Sequence, residues 1–578
     1  YPKGDGTNGI HAYKENALKL LKVAKEGLNP FSKYNPSKPE GVDLLEINET
    51  LIQQEQAGLK NMAGACFVLV AGGVGDRLGY KGVKVDIPLD LITMRSYLQL
   101  YAEKILAWQK TTNKINNTKV VLPFVIMVSE DTEAGTVELL KANKNFGMAE
   151  GQIVLLKQNK VPSIHDNEAS FLFNPETGLL ETKPYGHGEI HALLRDSGLK
   201  AKWKSESRKS IIYFQDTNGQ SINAMAPALG VHVEQKASFT SITSDRAPGE
   251  AAGGVTKLVN KEDPTDMITA NVEYNYLEPL LAPFGGDVAD KQPGKNGSLK
   301  SMLPGNLNIL IEEIDAGCRA EDISNGRVKE MMNPKYKEGT NREVFKKPTR
   351  VETNMQDVVW DFTEKDRKRI IYVNFDRVLT FSPDKNEPNE AWKNVKAKKP
   401  ADNAATAESD YYEFNRQVFR YAGMKVAKAE KGTVMETVYE EKEIGIPFLY
   451  GPMISCDANF AVSMDEVTKK INGGEITKRG VLSLEGDIYL DDVFVDGALV
   501  VKAIEGAKVI IVGAKIKNAS WSIRKLKDND EDKKLPQAIT MRGYTLDKHE
   551  TKILNITEPG EYIVTMNDAG EWIFNRQK

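Results

Sequence analysis

Cysteine is nearly absent from this sequence: Cys66, Cys318 and Cys456 are the only three in 578 residues. Three are too few for a disulfide framework, and their spacing fits no metal-binding pattern. A reducing compartment is expected, and the cytoplasm is the assigned location. Long apolar runs are missing too. Residues 120–128 form one of the longest, far short of the ~20 residues that a membrane-spanning helix requires, so no membrane partner is expected. No secretory signal pattern opens the sequence, and the sequons Asn48-Glu49-Thr50 and Asn116-Asn117-Thr118 read as chance. The first residue is Tyr1 rather than Met, which leaves an upstream segment open. Neither charge is in excess: 77 Lys and Arg face 81 Asp and Glu, a net charge of −4. A nucleic-acid binder would usually carry a basic surplus, whereas a small anionic substrate needs only a local basic cleft. The 40% hydrophobic and 27% charged residues describe an ordinary globular chain, long enough for several domains.

Against that background one stretch stands out, residues 66–88, CFVLVAGGVGDRLGYKGVKVDIP. Residues 66–71 are a short apolar run of the kind found in strands buried on both faces. A turn follows at once, Gly72-Gly73-Val74-Gly75-Asp76-Arg77, and then a basic segment ending at Lys84. Glycines let the backbone approach a ligand closely, so that several N–H groups converge on one anion. Arg77 and Lys84 add full charges suited to a polyphosphate. The dinucleotide fingerprint fails here, because Leu78 stands where its third glycine should be, and the Walker pattern fails for want of Gly-Lys-Ser/Thr.

Residues 1–60 read as helical. Ala17, Leu18, Leu20, Leu21 and Ala24 recur at helical spacing, and a second helix is expected over 43–59. This segment is taken as a cap on the main domain, with partner binding as the alternative. From residue 66 to about 216, strands (120–128, 152–156, 210–214) alternate with helices (95–109, 136–146). The pattern predicts a mostly parallel sheet with helices on both faces. Ligands in such sheets bind beyond the carboxyl ends of strands, where the Gly72–Arg77 turn, Gln158 and Asp216 would meet. Residues 285–297 are expected to form an exposed loop, residues 393–409 a mobile linker, and residues 411–421 a helix. After about residue 466, short strands recur between Gly486, Gly497, Gly506 and Gly513, which suggests a β-solenoid or a small sandwich.

Several segments carry a resemblance to a known family. The GG-x-G-x-R loop is joined by Gln158-x-x-x-Pro162, Pro184-x-Gly186-His187-Gly188-Glu189 and Asp216-x-Asn218. Asn271-Val-Glu273-Tyr274, Pro304-Gly305-Asn306-Leu-Asn308 and Phe381-Ser-Pro383-Asp-Lys385-Asn386 follow. Together they resemble the UDP-glucose/UDP-N-acetylglucosamine pyrophosphorylase superfamily, over most of residues 66–470. Val70–Gly73, Phe345-Lys-Lys-Pro-Thr-Arg350 and residues 381–386 point to its broad-specificity branch, the UDP-sugar pyrophosphorylases.

The resemblance implies an α/β fold: a Rossmann-like nucleotidyltransferase domain (61–465), the N-terminal helical segment (1–60) and a C-terminal β-solenoid-like domain (466–578). It implies a uridylyltransferase that makes UDP-sugars and pyrophosphate from UTP and sugar 1-phosphates such as those of glucose and galactose. The reaction would be reversible and Mg2+-dependent, and a monomer is expected. Arg77, Lys84 and Lys385 would carry the catalytic charges. Ala71, Gly72, Gly73, Gly75, Gln158, Gly186, His187 and Asp216 would hold the nucleotide, Gln158 by offering donor and acceptor to uracil. Asp216 would also ligate Mg2+, although an Asx-turn aspartate would look the same in sequence. Asn218, Gly254, Glu273, Tyr274, Asn306 and Asn308 would face the sugar. A zinc site at His187 and His191 is disfavoured, because Gly186 and Gly188 oppose a helix there and a third ligand is lacking. The rivals are an enzyme restricted to N-acetylglucosamine or glucose 1-phosphate, and an inactive nucleotide-binding scaffold.

Overall fold

The structure is a computed structural model that describes residues 9–73, 75, 78–288, 299–434, 445–527 and 529–577. Among these, eleven strands form one sheet: β1 (Tyr34–Ser37), β2 (Gly41–Leu44), β3 (Ala65–Val70), β4 (Phe124–Val128), β5 (Ile153–Lys157), β6 (Ser210–Gln215), β7 (Phe239–Ser244), β8 (Gly254–Asn260), β9 (Met267–Val272), β10 (Gly305–Glu313) and β11 (Ile370–Phe375). Across the sheet the order is β2-β11-β7-β10-β6-β3-β4-β5, and β8 joins through β1, β9 and β10. Strands β6, β3, β4 and β5 run parallel, as do β2, β11 and β7. Only β10 opposes its neighbours along this path. The expected mostly parallel sheet is therefore present.

Its central strands are apolar on both sides because both sides are covered. On β3, Phe67 and Leu69 enter one core with Leu98, Tyr101 and Trp108 of helix α3 (Tyr97–Asn116). Cys66 and Val68 enter the other core, beside Ile190, Leu194 and Trp203. Ser96 starts α3 by accepting the Gln99 N–H at 3.2 Å. That cap satisfies an amide that would otherwise be orphaned.

Three expectations are corrected. The segment 1–60 is not wholly helical. Helices α1 (Gly9–Glu26) and α2 (Glu49–Asn61) flank β1 and β2, and β2 forms the edge of the main sheet against β11. The pattern is hard to see because these strands are four residues long and half exposed. Residues 393–409 are not a linker. The helix Pro388–Lys396 and the start of α4 (Ala404–Tyr421) occupy them, and Ala401, Ala404, Ala405 and Ala407 are buried. Alanine supplies little apolar contrast, yet here it permits close packing. The parallel strands of the C-terminal part begin before residue 466, since Met453–Cys456 pairs with Val481–Glu485. Of the loop expected at 285–297, residues 289–298 lie outside the described residues.

In that C-terminal part, successive passes of the chain add strands in parallel register to three sheets, and the last strand, Trp572–Gln577, closes one of them antiparallel to Gly560–Met566. Ile471, Leu490 and Ile511 follow one another in one sheet, and Leu484, Val501 and Leu554 in another. These buried side chains are continuous with the core under the main sheet. Between Lys517 and Lys552 the chain leaves the stack. Trp521–Lys525 pairs antiparallel with Tyr544–Lys548, which closes an arm.

Helix α2 crosses α5 (Ser221–Glu234) with backbones nearly touching. A side chain at Gly58 would overlap the Ala226 carbonyl, and one at Gly230 would overlap that of Gln54. Gly58→Ala should therefore lower the unfolding temperature measured calorimetrically. The overlap costs about 1–3 kcal/mol, more than the roughly 1 kcal/mol that alanine gains in helix propensity. A raised unfolding temperature would refute this close crossing.

Candidate active site

The parallel strands β3, β4, β5 and β6 deliver their carboxyl ends to one rim, where a cleft of about 570 Å³ opens. Gly72, Gly73, Gly75, Lys84, Gln158, Gly186, His187, Asp216, Asn218, Asn308 and Lys385 all line it. Ala71 is buried at the foot of the loop, where its N–H donates to the Met127 carbonyl at 2.9 Å. Arg77 lies outside the described residues.

The glycines are required by what lies against them. A side chain at Gly72 would overlap the Gln158 amide, while a Cβ at Gly73 would stand 3.3 Å from Lys84 Nζ and one at Gly75 3.2 Å from Lys84 Cγ. Lys84 thus lies across the loop, and its ammonium ends 2.5 Å from Asp216 Oδ2. With the two side chains only 18% and 11% exposed, the pair is shielded from the screening that weakens surface ion pairs. Gly186 has φ 112°, and a Cβ there would meet the Thr353 carbonyl at 2.5 Å. Its smallness admits the neighbouring backbone.

His187 and His191 both engage the main chain of Met355. His187 Nδ1 accepts the Met355 N–H at 3.0 Å, and His191 Nε2 donates to the Met355 carbonyl at 2.8 Å. Enclosure lowers both imidazoles to about 4, so both are neutral near pH 7. Among the described residues no three His, Cys, Asp or Glu side chains converge as a metal site. The Met355 contacts give one ring nitrogen of each histidine a main-chain partner.

A second loop, after β11, is stitched to the segment that follows β6. Thr217 Oγ1 donates to the Asp384 carbonyl at 2.8 Å, and the Asp384 N–H to the Thr217 carbonyl at 2.9 Å. Asn218 donates to the Thr380 carbonyl and accepts the Ser382 N–H. Its amide therefore holds this loop as well as lining the cleft. Lys385 and Asn386 both donate their N–H groups to the Asp402 carbonyl at 2.9 Å. The Lys385 ammonium lies 4.8 Å from the Phe381 ring centre, a cation–π distance.

The remaining sugar-side candidates are dispersed. Asn306 donates to Asn308 Oδ1 at 2.8 Å, beside a bulge in β10 where Asn308 takes φ 54°. Glu273 accepts from Asn271 at 2.7 Å, and burial raises its pKa with help from nearby Glu352. Tyr274 sits at the surface under Lys335. Gly254 is inside the sheet, where a Cβ would meet Leu277 at 2.8 Å. Of these four, none is among the cleft's lining residues.

Sequence reasoning gives no role to Thr217, Arg350, Glu352 or Asp384, all of which line the cleft. Asp384 had a signal, since it stands beside Lys385 in the Phe381–Asn386 segment. It is fully buried, with the Ala404 main-chain N–H turned toward its carboxyl but neither oxygen in a well-aligned hydrogen bond. Burial pushes its pKa up to about 7, opposed by Arg542 and Lys84 and aided by Asp216. Lys84, Arg350 and Lys385 face Asp216, Glu352 and Asp384 across the cleft. With Asp384 only partly ionised near pH 7, these described side chains carry little net charge, so a bound polyphosphate would need further positive charge. Asp216 with Asp384 fits a divalent cation, because such a cation accepts one or two carboxylates and completes its shell on phosphate oxygens.

The relationship to known proteins agrees with this geometry. Residues 19–273 match the family described as UTP--glucose-1-phosphate uridylyltransferase. The UDP-sugar pyrophosphorylase of Arabidopsis thaliana is 36% identical over 564 residues, covering 96% of this chain and 88% of that protein. The UDP-sugar pyrophosphorylase of Oryza sativa subsp. japonica is 37% identical over 557 residues, covering 95% and 86%. The crystal structure of the uridine diphosphate N-acetylglucosamine pyrophosphorylase from Trypanosoma brucei is similar in fold. Its TM-score is 0.56 at 18% identity, over 72% of this chain and 82% of that one.

Between its ordinary value of 3.8 and about 7, folded Asp384 keeps a proton that the unfolded chain has lost. Its contribution to stability therefore falls as pH rises through that window. Asp384→Asn removes this titration. The variant's melting temperature, relative to wild type, should rise from about pH 5 to about pH 8. A pH-independent difference would show that Asp384 ionises normally.

Proposed function

The chain belongs to the UDP-sugar pyrophosphorylase family, and from that premise we propose that it transfers the uridylyl group of UTP to a range of sugar 1-phosphates. The observation that carries this reading is Lys84, laid across Gly73 and Gly75 and paired with Asp216 at the mouth of the parallel strands. A sugar phosphate oxygen attacks the α-phosphorus, an O–P bond forms, and the bond to the departing pyrophosphate breaks. Both reactants are multiply charged anions, so positioning and charge neutralisation are what the protein must supply.

The glycine loop and Gln158 receive the nucleotide, with the Gln158 amide available to a base edge. Arg77 and Lys84 neutralise phosphate charge. Lys385, fixed by Phe381 and Asp402, faces the charge that grows as pyrophosphate leaves. Neutral His187 carries no charge to compete for phosphate. Asn308 and Glu352 face the sugar side of the cleft, with Asn306 and Glu273 behind them. Asp216 and Asp384 hold Mg2+, which supplies charge neutralisation and orientation to the phosphates when bound. The low net charge of the described cleft side chains and the poorly aligned hydrogen bonding of the Asp384 oxygens support that assignment.

In this reading the three stacked parallel sheets form a β-solenoid, a supporting domain rather than a catalytic one. The protein acts as a cytoplasmic monomer, in keeping with cysteines that are all free. Size-exclusion with light scattering checks the oligomeric state.

A pyrophosphate-release assay with UTP, Mg2+ and the 1-phosphates of glucose, galactose and N-acetylglucosamine tests the function. Turnover of the first two is expected, with loss on chelation. Exclusive use of N-acetylglucosamine 1-phosphate would overturn the specificity. Lys385→Ala should lower kcat by about 10²–10³, the scale for loss of one preorganised donor, while UTP binding measured by calorimetry survives in part. An unchanged kcat would remove Lys385 from the mechanism.

A further inference from the structure

The glycine-rich loop is held from the far end of the chain. Gln537 donates its amide N–H to the Gly79 carbonyl, and its Oε1 accepts the Lys81 N–H at 3.0 Å. One side chain therefore occupies an acceptor and a donor on either side of Tyr80. Gln537 belongs to the arm that leaves the C-terminal stack between Lys517 and Lys552, and it opens the short helix Gln537–Thr540.

The arm is anchored a few residues later. Arg542, 1% exposed, donates Nε to Glu408 Oε2 at 2.8 Å, and its Nη groups to the carbonyls of Ala538 and Pro88. Tyr544 donates its hydroxyl to the same Glu408 oxygen at 2.6 Å. The other Glu408 oxygen accepts the Leu91 N–H at 2.9 Å. The segment 79–91 is thus gripped at both ends, by Gln537 near Gly79 and by the Arg542–Glu408 pair near Pro88 and Leu91. Between those grips lies Lys84, the residue that spans the glycines and meets Asp216.

Beyond Lys84 the chain is held by its own core side chains, Val85, Ile87 and Leu89. Before Lys84 the described residues of the loop offer less: Ala71 and Leu78 are the buried apolar side chains there, and the glycines add backbone freedom that must be lost on ordering. Each residue ordered on ligand binding costs about 1–2 kcal/mol of conformational entropy, and a loop already fixed avoids that cost at binding.

We propose that Gln537 is a positioning residue for the nucleotide loop. It sets residues 79–81, and through them the line of Lys84, so affinity for the nucleoside triphosphate depends on the C-terminal arm. The proposal rests on the reading of this cleft as the UTP site. Gln537 itself touches no reacting group.

The test is calorimetric titration of UTP with Mg2+ into the full-length wild type and into Gln537→Ala, with steady-state kinetics alongside. The variant should bind UTP about tenfold more weakly, the scale expected when two ordering hydrogen bonds are lost. Its KM for UTP should rise in step, with the sugar 1-phosphate KM and the melting temperature unchanged. Hydrogen exchange at residues 79–82 should speed up. Gln537→Glu keeps the acceptor for Lys81 but turns an oxygen on the Gly79 carbonyl, and it too should weaken UTP binding. Equal UTP affinity in wild type and both variants overturns the proposal. So does a fall in affinity for both substrates together with the melting temperature, which marks a merely structural role. If the wild type itself bound no UTP, the assigned function would fall before the role of Gln537 was reached.

Discussion

The contact on which this architecture depends is the passage of the Lys84 side chain over Gly73 and Gly75 to reach Asp216. It joins the end of β3 to the end of β6 by one partly shielded ion pair. The glycines leave the space that the lysine stem occupies, and a Cβ at either would press on it at 3.2–3.3 Å. Gly72 does the same for Gln158, which follows β5. Three strand ends are thus brought into one surface by backbone smallness on one side and long polar side chains on the other. An incoming phosphate then meets groups already at their separations, which is how a protein contributes to a reaction that needs alignment more than covalent help.

Around that contact, the chain assembles the cleft from distant pieces by main-chain hydrogen bonds. Thr217 and Asn218 fix the loop that bears Asp384 and Lys385. His187 and His191 fix Met355, and Gly186 lets Thr353 approach. Side chains quoted in the sequence motifs therefore divide into two groups. Some face the open volume, and others hold a neighbouring backbone in place. Both groups stand side by side in the same segments, so a motif alone does not separate them.

That division explains what sequence could and could not reveal. The parallel sheet was legible because β3, β4 and β6 are apolar on both faces and are followed at once by turn residues. The cleft was legible for the same reason, since strand ends converge in this class of fold. Strands β1 and β2 were not, because four half-exposed residues carry too little periodicity. Residues 393–409 looked mobile because alanine and lysine dominate them, although Ala401, Ala404, Ala405 and Ala407 are buried and Asn403 caps the helix through Thr406. The place of Asp384 beside Lys385 was its one signal in the sequence; its burial was not legible, because it depends on residues some 170 positions earlier and some 160 later, Thr217 and Arg542. Glu273, Tyr274 and Gly254 show the converse, where proximity in a motif does not place a residue on the cleft wall.

The apolar interior runs without a break from beneath the main sheet into the stacked coils, and the arm returns from those coils to grip the segment around Lys84. This has a consequence for biosynthesis. Residues 65–91 leave the ribosome early, but their partners Gln537 and Arg542 follow some 450 residues later. At the usual pace of translation, about 5–20 residues per second, the cleft waits tens of seconds in the nascent chain for its final supports. A chaperone that shelters the glycine loop during that interval would be protecting a half-built enzyme rather than a misfolded one.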